Sequence, residues 1–328
     1  MNSQSSTKRL LMLPALLPVH REWARRLRDK FPHELDVIEV ETDHEVQSLM
    51  STADAACGTL TPELLAQADR LRWLHSPLAA PPAGYFSPEL IAHPLTVTNV
   101  RGIFNDHISA HILSFVLAFA RALHHYVPLQ QQRVWQQLPR YEGTVHLPEA
   151  VALIVGVGGI GAETARLLSA FSVECIGVDP QRTEPPEGMK QIHSVDALDE
   201  LLPRADFVIV TVPHTPQTER MFNRERFGRM KRGAFFINIG RGATTSLDDL
   251  LVALREGQLG GAGLDVFEQE PLPPEHPLWV QPGVFITPHV ALWGPYYNER
   301  RYQILEENCR RFLDGRPLLN VVNKALWY

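Results

Sequence analysis

The chain has few cysteines and no excess of basic residues. Its three cysteines, Cys57, Cys175 and Cys309, lie far apart along the 328 residues. An odd number at such separations fits neither a disulfide framework nor a zinc site, and it favours a reducing compartment. The formal net charge of −6 argues against a nucleic-acid-binding surface. We therefore expect neither a disulfide-rich secreted protein nor a nucleic-acid partner.

Long apolar runs are also lacking, since no stretch reaches the roughly 18 residues that a membrane-spanning helix requires. The segment from Leu10 to Val19 resembles the apolar part of a signal peptide. However, Pro14 and Pro18 interrupt it, and no small-x-small cleavage site follows. We interpret Leu10 to Leu13 as a buried strand instead. The sequence thus predicts a cytoplasmic protein with no membrane partner.

The most informative stretch is a glycine cluster that follows a short apolar run. Residues 151–155 are all apolar and lead into Gly156-x-Gly158-x-x-Gly161, after which a helical pattern begins. Such a run is typical of a strand buried on both faces of a parallel sheet. Gly156 permits a tight turn, Gly158 leaves room for a pyrophosphate, and Gly161 allows close packing of helix on strand. The pattern predicts a dinucleotide site, with a structural βα turn as the alternative.

An acidic residue after the next predicted strand, residues 173–178, indicates which dinucleotide binds. Asp179 follows Gly161 by 18 residues, near the spacing expected for a carboxylate on the adenosine ribose hydroxyls. Such a carboxylate repels the 2′-phosphate of NADP, and Arg182 partly offsets that repulsion. We expect NAD to be preferred and NADP to be accepted as well.

The predicted helix from Asn105 to about Tyr126 is long enough to link two domains or to pack in a dimer. Four histidines lie on it, namely His107, His111, His124 and His125. We interpret them as hydrogen-bonded packing residues, because no carboxylate cluster accompanies them. The sequence therefore predicts no metal site.

Three polar residues stand at or just after the C-terminal ends of predicted strands. Arg241 lies between two glycines, and its planar fork can bind a carboxylate through two parallel bonds. His289 can supply a proton near neutral pH. Glu270 can hold that imidazole and favour its charged form. A salt bridge at a turn, a capping role and a solvated carboxylate are the structural alternatives, but all three residues follow one dinucleotide site.

Further ordered motifs accompany these residues. They are Val212-Pro-His-Thr-Pro-Gln-Thr218, the run from Met230 to Gly242, the run Gly261-Ala-Gly-Leu-Asp-Val-Phe-Glu-Gln-Glu-Pro-Leu272, and Thr287-Pro-His289. With the glycine loop, they resemble the D-isomer-specific 2-hydroxyacid dehydrogenase family, which includes glyoxylate/hydroxypyruvate reductases. The resemblance runs from about Leu71 almost to Tyr328. It implies an α/β protein with a Rossmann dinucleotide-binding domain (102–296) inserted in a smaller flavodoxin-like substrate domain (1–101 and 297–328).

The resemblance also implies roles for individual residues. It assigns catalysis to Arg241, Glu270 and His289, the adenosine ribose to Asp179, and the nicotinamide amide to Asp265. The residues implied around the dinucleotide are Gly156, Gly158, Gly159, Ile160, Gly161, Asp179, Val212, Pro213, Thr218, Ile239 and Asp265. The residues implied around the substrate are Leu78, Ala79, Ala80, Arg241, His289 and Trp293.

The loop that would meet the substrate carboxylate departs from the family pattern. The family usually has Ser-Ala-Gly-Val-Asp where this chain has Ser76-Pro-Leu-Ala-Ala80, followed by two more prolines. The departure implies a pocket whose shape differs from that usual in the family. Trp293, Tyr296 and Tyr297 favour a small or apolar substituent if they border the pocket, and packing without substrate contact is the alternative.

The sequence predicts an NAD(P)-dependent enzyme that reduces a small 2-oxo acid to the D-2-hydroxy acid, with His289 as the proton donor. The resemblance further implies a homodimer, which the helix from Asn105 and the segment around Trp135 would form. The alternative function is a corepressor-like protein on the same scaffold that senses NAD. A turnover assay with glyoxylate or hydroxypyruvate separates the two.

Overall fold

A computed structural model describes residues 7–14, 16–79, 84–139 and 143–325 of the chain. The strands are β1 (Lys8–Met12), β2 (Leu35–Glu39), β3 (Ala55–Cys57), β4 (Trp73–His75), β5 (Thr96–Thr98), β6 (Val151–Val155), β7 (Glu174–Val178), β8 (Gln191–His193), β9 (Phe207–Val210), β10 (Ala234–Asn238), β11 (Leu259–Leu264) and β12 (Val284–Ile286). The α-helices are α1 (Pro18–Lys30), α2 (Asp43–Met50), α3 (Pro62–Leu65), α4 (Pro88–Ala92), α5 (Asn105–Ala120), α6 (Leu123–Gln131), α7 (Gly159–Ser169), α8 (Leu198–Leu201), α9 (Arg224–Arg229), α10 (Leu247–Arg255) and α11 (Tyr297–Leu313).

The chain divides into two compact units. The smaller unit comprises Met1–Ile103 and Pro295–Tyr328, and the larger one comprises Phe104–Gly294. The domain boundaries expected from the sequence, after residues 101 and 296, fall within two residues of this division. Two separate parallel sheets confirm the α/β fold class.

The smaller unit is built on five parallel strands in the order β2-β1-β3-β4-β5, which is the order of flavodoxin-like folds. Its helices follow from local sequence. In α1, Trp23, Ala24 and Leu27 recur at helical spacing and are buried. In α2, Thr42 and Glu45 form a capping box, in which the Glu45 N–H donates to Thr42 Oγ1 at 3.3 Å.

The larger unit is built on seven parallel strands in the order β12-β11-β10-β9-β6-β7-β8, a doubly wound Rossmann arrangement. Strand β6 lies in the interior of this sheet, between β7 and β9. Ala152 and Ile154 belong to one apolar core, while Leu153 and Val155 belong to another. Since alternate residues of a strand point to opposite faces, β6 is buried on both, as its composition predicts. The glycine loop therefore begins at the switch point of this sheet.

The prediction of one long helix from Asn105 to about Tyr126 is wrong, because the chain bends between Ala120 and Leu123. Helix α5 ends at Ala120 and α6 begins at Leu123, with an angle of 77° between them. Ala122 has a φ of 55°, in the left-handed region. Phe119 and His124, on either side of the bend, both pack against Phe235, with ring centroids 4.6 and 5.5 Å away. The apolar stripe of α5 does not continue as a buried face on α6, where His124 is buried and Leu123 is 44% exposed.

The sequence patterns predict neither α4 nor β8. Strand β8 lies at the edge of the larger sheet, and its Gln191 is exposed. An edge strand of three residues carries too little apolar alternation to be recognised. In the described part of the chain, no single helix is long and apolar enough to cross a membrane, although α5 and α6 together reach that length and composition.

Candidate active site

His289 and Glu270 lie together in the larger unit. His289 Nδ1 is 2.7 Å from Glu270 Oε2, and Glu270 Oε1 accepts a hydrogen bond from the Phe267 N–H at 2.9 Å. A carboxylate accepts only, so Nδ1 carries the proton of this bond and Nε2 is left for a ligand. The two side chains are 39% and 36% exposed. The pair can therefore reach a ligand while the imidazole stays oriented.

The turn that carries His289 is folded around the buried side chain of Asp265, which is 1% exposed. Asp265 Oδ1 accepts from Thr287 Oγ1 at 2.6 Å and from the Val290 N–H at 2.9 Å. Its Oδ2 accepts from the Ala291 N–H at 3.0 Å, and its backbone carbonyl accepts from the His289 N–H at 2.9 Å. These donors offset the cost of burying the charge. The role of Asp265 at the nicotinamide stays a prediction; in the structure its carboxylate shapes the turn.

Arg241 follows β10 and is positioned by a buried amide. Asn238, 1% exposed, donates to the hydroxyls of Thr244 and Thr245 at 3.2 and 3.0 Å. Its Oδ1 accepts from the Gly240 N–H at 3.0 Å. Burial lowers the pKa of Arg241, and the nearby Glu270 carboxylate opposes this shift. An arginine so placed keeps its charge near neutral pH.

Gly242 allows the Arg241 loop to approach the segment that carries Glu270. A Cβ on Gly242 would lie 1.9 Å from the carbonyl carbon and oxygen of Phe267. Any larger residue would push the two segments apart. The proximity of Arg241 to Glu270 therefore depends on this glycine.

The glycine loop has the properties that a pyrophosphate site requires. Gly156 has a φ of 95°, which an L side chain rarely adopts. A Cβ on Gly161 would lie 2.2 Å from the Gly156 carbonyl oxygen, whereas one on Gly158 would meet nothing within 4 Å. Helix α7 begins at Gly159 with Gly158 as its N-cap, so the N–H groups of Gly159 and Ile160 have no intrahelical acceptor. The residues present fit a bound dinucleotide.

Asp179 lies beside this loop, at the end of β7. Its Oδ2 accepts from the Val157 N–H at 2.8 Å, and its Oδ1 accepts from the N–H groups of Gln181 and Arg182, both at 2.9 Å. The carboxylate is thus fixed next to the glycine turn. Its role at the adenosine ribose stays a prediction.

The loop after β9 completes the expected dinucleotide surface of the larger unit. Thr218 Oγ1 donates to the Pro213 carbonyl at 2.6 Å and accepts from the Thr215 N–H at 2.8 Å. Val212 and Ile239 are 7% and 6% exposed, so their side chains serve mainly as packing. The Thr218 hydroxyl is thus hydrogen-bonded within its own loop, to Pro213 and Thr215.

The expected substrate-carboxylate loop follows β4 in the smaller unit. The Leu78 N–H donates to Ser76 Oγ at 3.3 Å, and Ala79 offers its carbonyl to Asn99 Nδ2 at 2.9 Å. Ala80 lies outside the described residues. In the larger unit, the Trp293 side chain is 73% exposed. Substrate contacts of these residues stay predictions.

Sequence reasoning missed residues that position the others, above all Asn238 and Thr287. A signal for Asn238 exists in the sequence, since it is the one polar residue in the run from Phe235 to Ile239. A polar group in a buried strand must find hydrogen-bond partners. Asn238 finds them in the loop that presents Arg241.

Known proteins of one family resemble this chain. A family model described as "D-isomer specific 2-hydroxyacid dehydrogenase, NAD binding domain" matches residues 113–291, more than half of the chain. The chain belongs to this family. The 2-hydroxyacid dehydrogenase family assignment identifies the larger unit as an NAD-binding domain.

Named relatives of this dehydrogenase include a glyoxylate reductase from Thermofilum pendens. It is 33% identical over 241 residues, which cover 73% of this chain and 71% of that protein. A glyoxylate/hydroxypyruvate reductase A from Serratia proteamaculans is 37% identical over 189 residues, covering 57% and 58% of the two chains. The chain is also similar to the crystal structure of an NADPH-dependent glyoxylate/hydroxypyruvate reductase from Sinorhizobium meliloti in complex with NADP and sulfate. That similarity has a TM-score of 0.81 at 28% identity and covers 98% of this chain and 100% of the other.

These findings confirm the enzyme class expected from the sequence. The chain is an NAD(P)-dependent oxidoreductase of 2-hydroxy acids.

Proposed function

We propose that this dehydrogenase reduces a small 2-oxo acid, of the size of glyoxylate or hydroxypyruvate, to the D-2-hydroxy acid. The observation that carries the proposal is the contact of 2.7 Å between His289 and Glu270. It lies in the same unit as Arg241 and the dinucleotide loop. The names of the relatives in Thermofilum pendens and Serratia proteamaculans support the substrate class.

His289 is the proton donor of the proposed reaction. Because its Nδ1–H is held by Glu270, Nε2 is the nitrogen that faces the substrate oxygen. The charged imidazole is the form that donates a proton during reduction. In the oxidation direction the neutral imidazole takes the proton back.

Arg241 binds the substrate and stabilises charge. Its guanidinium can hold a carboxylate through two parallel bonds. It also stabilises the negative charge that develops on the ketone oxygen before His289 protonates it. The side chain is half-buried and its Nη1 donates to the Gly240 carbonyl at 2.5 Å, so one nitrogen of the guanidinium is held before the substrate binds.

The reduced nicotinamide, when bound, supplies the hydride. The chain's part is to hold the dinucleotide, with the N–H groups of Gly159 and Ile160 at the pyrophosphate and Asp179 at the adenosine ribose. We propose that NAD is preferred and that NADP is accepted, since Arg182 is exposed beside Asp179. Measuring kcat/KM with NADH and with NADPH tests this preference.

The backbone amides of Leu78 and Ala79 are proposed to bind the substrate carboxylate, together with Ala80. The Leu78 N–H would exchange its bond of 3.3 Å to Ser76 Oγ for the ligand. Trp293 is proposed to border the substituent of the acid, which favours a small or apolar group.

The experiment that tests the function is a panel of 2-oxo acids with NADH and NADPH. We expect turnover with glyoxylate or hydroxypyruvate, and a D configuration for chiral products. His289→Ala should lower kcat by about a hundredfold to ten-thousandfold, with the Kd for NADH changed less than about twofold. Turnover of His289→Ala at the wild-type rate would remove this residue from the reaction. No turnover of any acid by the wild type would favour the NAD-sensing alternative.

We propose that the enzyme is a homodimer and that the segment from Leu123 to Trp135 contributes to the contact. Trp135 is 97% exposed, and Leu123, Val127 and Val134 are 44%, 39% and 43% exposed. Apolar side chains clustered in one exposed segment typically mark a protein contact. Native mass spectrometry of Val127→Asp should show a monomer, and Phe171→Asp, at another exposed apolar site, should not change the mass.

A cytoplasmic location is proposed from the cysteines. Cys57, Cys175 and Cys309 are free and buried, as expected for a chain that folds in a reducing compartment. Fractionation of the native host cells would test the location.

A further inference from the structure

Two side chains of helix α5 contact the turn that carries His289. His111 Nε2 lies 2.9 Å from Thr287 Oγ1, and His107 Nδ1 lies 3.2 Å from the Leu292 carbonyl oxygen. The two histidines are four residues apart and therefore lie on the same face of α5. The proposed chemistry uses neither of them.

The direction of the first contact follows from its neighbours. The Thr287 hydroxyl lies 2.6 Å from Asp265 Oδ1, and it must donate there because a carboxylate has no proton to offer. The hydroxyl oxygen can then only accept from His111, so His111 Nε2 carries a proton. Burial lowers the pKa of His111, and the charge of Asp265 opposes this shift. The imidazole is therefore neutral near pH 7, with its proton on Nε2 and none on Nδ1.

The chain of hydrogen bonds continues to the residues around His289. Thr287 and the N–H groups of Val290 and Ala291 supply three donors to the Asp265 carboxylate, which has about four acceptor sites. His289 itself has a φ of 54°, a conformation that costs energy for a residue with a side chain. The surrounding bonds must therefore hold it.

We propose that His111 is a positioning residue for His289, acting through Thr287 and Asp265. It fixes the orientation of the Thr287 hydroxyl, and through it the Asp265 carboxylate around which the turn folds. His107 contacts the same turn near its C-terminal end. A Cβ on Gly294 would lie 2.5 Å from Cε1 of the His107 ring, so only glycine fits there without a shift. This inference rests on the proposed function, because it assigns His111 to the presentation of the proton donor.

Packing alone is the competing role, and two variants separate it from positioning. The His111 ring meets Phe115 edge-on, with centroids 4.8 Å apart. His111→Phe keeps an aromatic ring against Phe115 but cannot donate to Thr287. His111→Gln loses the ring but keeps an N–H donor at a similar reach. If His111 positions the turn, His111→Gln should retain a higher kcat than His111→Phe. If His111 serves only for packing, His111→Phe should retain the higher kcat.

Hydrogen exchange measures the turn without any need for turnover. In His111→Phe, the amides of residues 289–291 should exchange about tenfold faster, as expected for the loss of one hydrogen bond. In His111→Gln they should exchange at nearly the wild-type rate. The amides of β11 should not change in either variant. Unchanged exchange at 289–291 in His111→Phe, or equal acceleration throughout the larger unit, overturns the proposal.

Kinetics measures the consequence for His289. His111→Phe should lower kcat for the 2-oxo acid by about tenfold to a hundredfold, the range expected for a misplaced reacting group, with less than about a twofold change in the KM for NADH. His111→Gln should recover most of kcat. The matched control is His44→Phe, an exposed histidine on α2, which should match the wild type. A wild-type kcat in His111→Phe overturns the positioning role even if exchange accelerates.

Failure of the proposed function gives a different result. If the wild type reduces none of the acids tested, the function is wrong and the kinetic arm has no reference. Hydrogen exchange then decides alone whether His111 holds the turn. A fall in the melting temperature of both variants, with faster exchange in both, assigns His111 to packing.

Discussion

The carboxylate of Glu270 is held at both oxygens, at one by the His289 imidazole 2.7 Å away and at the other by the Phe267 N–H at 2.9 Å. The second bond prevents the carboxylate from turning away when the imidazole changes its protonation state. Glu270 therefore has a fixed position from which to orient His289.

Replacing Glu270 by Gln should separate orientation from charge. The amide oxygen of Gln can still accept from His289 Nδ1–H, but the negative charge is lost. The acceptor is then kept while the negative charge beside the imidazole is lost, so kcat/KM for reduction should fall by about tenfold. The measurement is kcat/KM of Glu270→Gln and of the wild type at pH 7. Equal values would mean that Glu270 has no electrostatic role.

Arg182 should determine how well NADPH is used. Its exposed guanidinium follows Asp179 by three residues, where a 2′-phosphate would gain a charge-assisted bond. Arg182→Ala should lower kcat/KM for NADPH by about tenfold and that for NADH by less than about twofold. Arg224→Ala, at an exposed position on α9, is the control. Equal losses with both cofactors would contradict this assignment.

Two glycines should respond differently to the same substitution. A Cβ on Gly158 meets no atom within 4 Å, whereas one on Gly242 would lie 1.9 Å from Phe267 backbone atoms. Gly158→Ala should fold with nearly wild-type stability but bind NADH at least about tenfold more weakly, because its methyl group occupies the pyrophosphate site. Gly242→Ala should lose about 1–3 kcal/mol of unfolding free energy. Calorimetry and fluorescence titration measure these outcomes.

His124 should make the fold sensitive to acid. Burial, aided by the neighbouring His125, lowers the pKa of His124 to about 4 from 6.5. The neutral form is thus favoured in the folded state, so its stabilisation is present above pH 6.5 and lost as the pH falls toward 4. By pH 4 this loss should be on the order of 1–3 kcal/mol, since solvent screening reduces the full effect. This acid-induced loss of unfolding free energy should be absent in His124→Phe and unchanged in His44→Phe. Urea unfolding at pH 7.5 and pH 4 measures it.

Much of the fold could be predicted from local patterns. The run from Val151 to Val155 has apolar residues at every position, which only a strand covered on both faces requires. Thr42 and Glu45 mark the start of α2 through their reciprocal bonds. The bend at Ala122 could not be predicted, because no glycine or proline stands there. Packing of Phe119 and His124 against Phe235 favours it instead.

The candidate site, like the fold, could be predicted only in part from the sequence. Arg241, Glu270 and His289 could be proposed because polar residues at the ends of buried strands stand out against their neighbours. The partners of these residues could not. Thr287 and His111 are 176 positions apart, and no spacing rule connects a helix residue to a turn so distant in the chain.

The sequence by itself determined that this chain forms parallel α/β sheets and belongs to an NAD-binding family, and it predicted a guanidinium, a carboxylate and an imidazole for the chemistry. Periodicity and turn residues are local properties, and they can be inferred from neighbouring positions. Only the tertiary structure decided how His289 is held, since the Asp265 carboxylate gathers its donors from residues 22 to 26 positions away. Hydrogen bonds over such separations exist only after the sheet and α5 have packed together.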